Sequence, residues 1–347
     1  MPSATTSGPK TGNLPIRASP CRSAVESQKC GPRKLQPANN EQFSDWPSTI
    51  HRLEVDVLQQ TINGISLGAS YALLGLGVAL IWGVLRVLNF AFGQFITWGA
   101  FACFYCLQAG VPTWLSMVIG MIVGGLLAVV VDSTVLAYMR HKRSSEFAMV
   151  VATIGVSYLL MSIVQSYTDS QIEAFPAEKF PRGSVSIGSL EIPELVLMSL
   201  AIGIFMMAVL GIWLQYTKSG RATRTVSWSE DTAALLGVRS STIFALSVFI
   251  SGALAAVAGI CISAATATLS YSTGDPLLVI AFAVIVIGGM GSVYGAMIGG
   301  LLLGLAQVYT TAYIANEFSE AVGYIAIILI LVVRPSGLFG QSEEQRV

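Results

Sequence analysis

The chain has 347 residues, 54% hydrophobic and only 11% charged, and its formal net charge is zero. Soluble domains carry about 25% charged residues, so this composition excludes an ordinary soluble protein. With the charge balanced, no basic surface points to nucleic-acid binding.

Residues 1–56 are rich in Pro, Ser, Gly and Asn with scattered charges. Such a segment cannot bury a core and is expected to be a disordered tail. It has no apolar stretch of signal-peptide form, and both a functional tail and a mis-assigned start remain open. Beyond it, Val57–Leu85, Val87–Val131, Ile243–Gly274 and Pro276–Asn316 contain no charged residue. About 20 apolar residues span a bilayer core as a helix. The runs are continuous rather than alternating, which indicates helices and not a barrel. The fold class is therefore all-α, a polytopic transmembrane helical bundle occupying 57–340, followed by a short tail, 341–347. Spans are predicted near 57–85, 88–107, 113–138, 147–167, 194–216, 242–266, 277–290, 292–314 and 319–333. The seventh is short enough to be a re-entrant half-helix, so the count is eight or nine.

RVLNFAFGQF, 86–95, runs from the end of the first span into the second and sets Arg86, Asn89 and Gly93 into oily surroundings. Asn89 stands where it could cap a re-entering helix. Cys103 and Cys106 form a CxxC in an apolar run with no second pair, and helix packing explains them better than zinc or redox chemistry. No HExxH, GxSxG or paired-carboxylate motif occurs. Asp132 is almost the only intramembrane ionisable candidate, and pairing with a nearby cation or water fits it better than proton relay.

Lys and Arg in short loops set orientation. Arg140, Lys142 and Arg143 cluster after the third span, and Lys218, Arg221, Arg224 and Arg239 after the fifth. Both loops are expected on the cytoplasmic side. That count places the C-terminus inside and the N-terminus outside, against the basic character of the tail. Four GxxxG pairs, 64/68, 120/124, 295/299 and 300/304, suit close helix packing.

Two further stretches stand out. SGRATRTVSWSEDTAALLGVRSS, 219–241, runs from basic to acidic residues, then to an Ala/Leu stretch and Gly237. It reads as a short exposed helix with a glycine C-cap, shaped to be gripped by another protein. IGGMGSVYGAMIGG, 287–300, has six glycines in fourteen positions. Glycine costs about 1 kcal/mol in a helix interior, so a break is expected, with backbone facing a cavity or an apposed helix. No Walker A pattern GxxxxGK[ST] is present.

In order along the chain these stretches read NGISLGASYAL, VLNFAFG, GRATRTVSWSEDTAALLGV, GGMGSVYGAMIGG and RPSGLFG. From Leu58 to Gly340 they resemble the membrane subunits of branched-chain amino acid ABC importers, the LivH/LivM type. The resemblance implies a transport subunit of the bacterial inner membrane that is not itself an enzyme and binds no cofactor directly. ATP would be used by its partners. Those partners would be two cytoplasmic ABC ATPases, a second homologous permease subunit and a periplasmic or extracellular solute-binding protein, all within membrane lipid and without nucleic acid. It implies that 220–238 is the coupling segment. There Arg221 and Arg224 would orient the loop, Asp231 with the Ala233, Ala234 and Leu235 face would meet an ATPase groove, and Gly237 would end the helix. Asn89, Phe92, Gly93, Gly288, Gly289, Gly291 and Ser292 would lie on the translocation path or a subunit contact.

Two positions depart from the family pattern. Phe92 stands where histidine is common, and Ser229, beside Trp228, stands where an acid or amide is common. The family implies leucine, isoleucine and valine as solutes, with urea, short amides and aromatic acids in related systems. A nearly charge-free interior suits a zwitterionic or neutral solute. A self-contained ion-coupled carrier is the competing class; a membrane scaffold or intramembrane enzyme would lack any catalytic pair.

Overall fold

In hydrocarbon every peptide N–H and C=O must bond within the protein, and each uncharged run accordingly closes into helix. The computed structural model describes residues 46–334 and 337–339, apart from 182, 188, 189, 316, 317 and 320. Most of the expected tail, and all of 340–347, lie outside the described residues. The first helix, α1, is Trp46–Leu85, so 46–56 is helical backbone. Residues from 49 onward form one unit; of residues 1–48 only 46–48 are described, as helix.

After α1 come α2 (Phe92–Gln108) and α3 (Thr113–Val131), the latter continuing through a π turn, Asp132–Leu136, into α4 (Ala137–His141). Then follow α5 (Glu146–Tyr167), α6 (Glu194–Tyr216), α7 (Lys218–Trp228), α8 (Glu230–Leu235), α9 (Ser240–Thr266), α10 (Gly274–Gly288), α11 (Val293–Tyr313) and α12 (Ala321–Val333). Six segments among the described residues are long and apolar enough to cross a membrane: Val57–Leu85, Thr113–His141, Glu146–Tyr167, Glu194–Tyr216, Ser240–Thr266 and Val293–Tyr313. The helices α10 and α12 are shorter apolar elements, and α2 has 17 residues. Each predicted span thus has a helix.

Burial sorts the spans. In α1, 89% of the most apolar window is buried, and in α9 78%, against 22% in α5 and α6. A helix apolar all round is a core helix or faces lipid; α1 and α9 are the first kind, α5 and α6 the second. The core packs tightly because small residues let backbones meet. A Cβ on Gly124 of α3 would stand 2.9 Å from the Gly252 carbonyl oxygen of α9, so any larger residue would force the two helices apart. The GxxxG pairs all fall on such seams: Gly64 and Gly68 against α11, Gly120 and Gly124 against α2 and α9, Gly295 and Gly299 against α10, and Gly300 and Gly304 against α1.

The bundle has two distinguishable ends. At the basic end Val84, Val226, Ala233, Ile243 and Phe244 form one apolar cluster, uniting the end of α1 with α7, α8 and the start of α9. At the opposite end Phe104, Leu107, Val164, Phe175, Phe180, Ile260 and Leu269 form another. There the segment 168–193 contributes short strands absent from the sequence expectation. The strand β1 (Glu173–Ala174) pairs antiparallel with β4 (Thr268–Leu269), and β2 (Ser184–Ile187) with β3 (Leu190–Pro193).

Candidate translocation site and coupling surface

Helix α1 ends at Leu85, and Arg86 just after it adopts φ 52° and donates from Nη2 to the Ser227 carbonyl in the last turn of α7, 3.4 Å away. A cation suits a helix C-terminus. The chain then runs irregularly to α2. Asn89 is buried, and its Oδ1 accepts from the Ala91 amide at 3.0 Å. It therefore caps the turn before α2 and not the helix itself, whose N-cap Ala91 offers no side-chain bond. Asn89 Nδ2 has no partner. Phe92 is buried against α1, its ring 3.0 Å from the place a Gly77 Cβ would occupy and edge-on to Phe95.

A second largely irregular stretch, 267–273, which includes β4, leads from α9 into α10. The N-termini of α2 and α10 meet at Gly93 and Gly274: a Cβ on Gly93 would lie 2.9 Å from the Gly274 oxygen. The Gly274 amide donates to Thr97 Oγ1 at 3.0 Å. Gln94 Nε2 donates to Asp275 Oδ1 at 3.3 Å, while Gln94 Oε1, fully buried, has no partner. A buried polar atom without a partner costs about 1–3 kcal/mol. At 1.5 Å per residue, Gly274 sits about 21 Å along α10 from Gly288, and Thr97 about 15 Å along α2 from Leu107. The junction is therefore near mid-membrane, each half-helix running from it toward a different end.

Gln94, Thr97 and Asp275 were not among the sequence candidates. The signal existed: Asp275 alone separates the uncharged runs Ile243–Gly274 and Pro276–Asn316. It is preceded by Ser, Tyr, Ser, Thr and Gly, residues that also suit a polar loop.

The glycines at 288–291 lie elsewhere. They form a tight hairpin between α10 and α11, with Gly289 at φ 101° and Gly291 at φ 83°. Ser292 caps α11 by accepting from the Gly295 amide at 3.0 Å. The amides of Leu338 and Phe339 donate to the Ile287 and Gly288 carbonyls, so these two residues close the open end of α10. The break expected in 287–300 is present, but the structure puts it at the basic end. The other break of this half is 267–273, which starts at the opposite end with β4 and comes to the junction only at Gly274.

The expected coupling helix is two helices, split at Ser229, which caps α8 by accepting from the Thr232 amide at 3.2 Å. Arg221, Arg224, Asp231, Ala234, Leu235 and Gly237 are all exposed. Ala233 is fully buried and faces its own chain, leaving Ala234, Leu235 and Leu236 as the outward face. Gly237 takes φ 78°, and the Val238 amide bonds back to the Ala233 carbonyl, a glycine C-cap as expected. Exposed Trp228, Leu235 and Leu236, the last two 88% and 70% exposed, make an apolar knob at the basic end.

Asp132 is paired. Arg140 holds both its oxygens, at 2.8 and 3.1 Å, and lies over the Phe244 ring at 4.9 Å. It is the only ion pair among the described residues.

The chain is similar to known proteins over most of its length. It is 31% identical over 300 residues to the high-affinity branched-chain amino acid transport system permease protein LivH of Salmonella typhimurium, covering 84% of this chain and 97% of that protein. It is 28% identical to the permease protein BraD of Pseudomonas aeruginosa, covering 84% and 98%. A solved ABC transporter described as of metal-chelate type, in an inward-facing conformation, aligns with TM-score 0.46 at 17% identity over 79% of this chain and 84% of that one. Residues 60–331 match the family described as branched-chain amino acid transport system, permease component. With that match and the LivH identity together, the chain belongs to the branched-chain amino acid transport permease family.

Proposed function

We propose that this chain forms half of the translocation path of an ATP-driven importer for branched-chain amino acids. It hydrolyses no ATP itself and binds no cofactor. It works in the plasma membrane with two cytoplasmic ATPases, a second permease subunit and a solute-binding protein. The observation that carries this reading is the contact between the exposed elbow at 218–237 and the break that opens α2. Leu235 and Leu236 offer an apolar knob for an ATPase groove. Ala233 and Val226, behind that knob, pack on Val84 and Phe244, and the end of α7 touches Arg86. Displacing the elbow therefore displaces the end of α1 and the 86–91 segment, and with them the N-terminus of α2 at mid-membrane. Arg221, Arg224 and Asp231, exposed on the same elbow, supply charges for orienting the partner, and Gly237 ends it. Asn89 and Gly93 lie on the path; Phe92 packs between the path and α1; Gly288, Gly289, Gly291 and Ser292 form the hinge at its cytoplasmic mouth.

The test is reconstitution in liposomes. The chain assembled with its ATPases, second permease and binding protein should take up radiolabelled leucine only with ATP. Uptake by the chain alone under an ion gradient would overturn the proposal in favour of a secondary carrier. Leu235→Asp should dissociate the ATPases in pull-down and reduce uptake to background while leaving the chain in the membrane. Retained ATPase binding would remove the elbow from this role.

A further inference from the structure

We infer that Asp275 and Gln94 form the mid-membrane contact for the ammonium group of the transported amino acid, with Asn89 and the N-terminus of α2 receiving its carboxylate. The inference rests on the importer reading above and adds the solute's contact residues. Asp275 opens α10 where that helix meets α2, and its side chain accepts a hydrogen bond from the neutral amide of Gln94. Among the described residues no cation pairs with it. A carboxylate at mid-membrane without a cation is expensive and marks a site. A positive group arriving with the solute supplies the missing charge.

Two buried side-chain amides at the start of α2 are incomplete in complementary senses. Gln94 Oε1 is a fully buried acceptor with nothing to accept, and Asn89 Nδ2 is a buried donor with nothing to receive its hydrogens. The other unpartnered buried atoms are the hydroxyls of Ser247 and Ser263, both on α9. An ammonium group donates, and a carboxylate accepts. A zwitterion, which carries one donating and one accepting charged group, has the chemistry both vacancies and the Asp275 charge call for. Two half-helix N-termini converge here and bring partial positive charge for the carboxylate, while Asp275 keeps the junction from being purely cationic. A neutral amide such as urea would leave Asp275 without its counter-charge, so the geometry favours amino acids over that solute class. Leu278 of α10, whose Cβ lies 3.4 Å from the place a Gly93 Cβ would occupy, gives the junction an apolar wall.

The test uses the complete importer in proteoliposomes, reading labelled leucine imported per ATP hydrolysed. Wild type that imports no leucine with ATP would sink the importer reading itself, a result separate from the site. Given wild-type import, Asp275→Asn keeps size and the hydrogen bond to Gln94 but loses the charge. It should import about tenfold less leucine per ATP, the effect of losing one charged contact, while hydrolysis stimulated by the loaded binding protein stays at the wild-type level. Import and hydrolysis falling together would assign Asp275 a purely structural role and overturn the inference, as would unchanged import per ATP. If Asp275→Asn does not assemble, Gln94→Met in the same assay decides: a matching drop in leucine per ATP supports the contact, and an unchanged ratio rejects it.

Discussion

Two carboxylates lie within the apolar part of this bundle, and they are built in opposite ways. Asp132 is held by both nitrogens of Arg140 within one stretch of helix, at the basic end, beside a π turn. Asp275 is met by one neutral amide from another helix, at the junction of two half-helices. The first has everything a buried charge requires, and its removal leaves an uncompensated cation. The second lacks a counter-charge within the described chain. An intramembrane charge is informative about function according to what remains unanswered around it, more than by its presence. Here the residue that drew attention in the sequence is the one the fold has already satisfied.

Breaking the junction that carries Asp275 should have the largest effect. A Cβ at Gly274 would overlap the Gly93 carbonyl, so Gly274→Val must separate the N-termini of α2 and α10. Overpacking of this kind costs about 1–3 kcal/mol, and leucine uptake should be abolished. Detergent melting and uptake measured on the same preparation check both. A variant with normal uptake would show that the two half-helices need not touch.

Asp132→Asn should give the reverse pattern. Arg140 is left partly buried without its counter-charge, and breaking such a pair costs up to about 3 kcal/mol. Melting of the purified assembly should fall clearly, while uptake per assembled transporter stays near wild type. Replacing both partners with apolar residues, Asp132→Leu with Arg140→Met, should restore most of the lost stability. Loss of uptake without loss of stability in Asp132→Asn would erase the contrast with Asp275.

The sequence made the spans legible because a bilayer imposes a length and an absence of charge on each. Gly237 was legible because a C-cap needs left-handed φ, and the glycine hairpin because helices tolerate few glycines. Depth was not legible. The stretch TATLSYSTGD reads as a polar loop, and only the close approach of Gly93 and Gly274 reveals that its end is drawn to mid-membrane. That approach depends on two segments far apart in sequence, so no local pattern contains it. Likewise Ala233 belonged to the apolar face of the elbow by composition, and its burial against α1 and α9 is a tertiary fact.

Phe92 supplies the finest test, because it adjoins the junction without facing it. It stands where the resemblance led to an expectation of histidine, and in the structure its ring is spent on Gly77 of α1 and on Phe95. Gln94, two residues on, takes the side of the helix that meets Asp275. An imidazole in place of the ring fits the volume but buries two polar atoms in an apolar slot, at a cost of about 1–3 kcal/mol if they find no partner. Phe92→His should therefore lower the melting temperature slightly, while the leucine concentration for half-maximal uptake changes little. A change in that concentration, or in the choice among leucine, isoleucine and valine, would move Phe92 from the α1 contact onto the solute's route. It would also require the site around Asp275 to extend across both faces of α2.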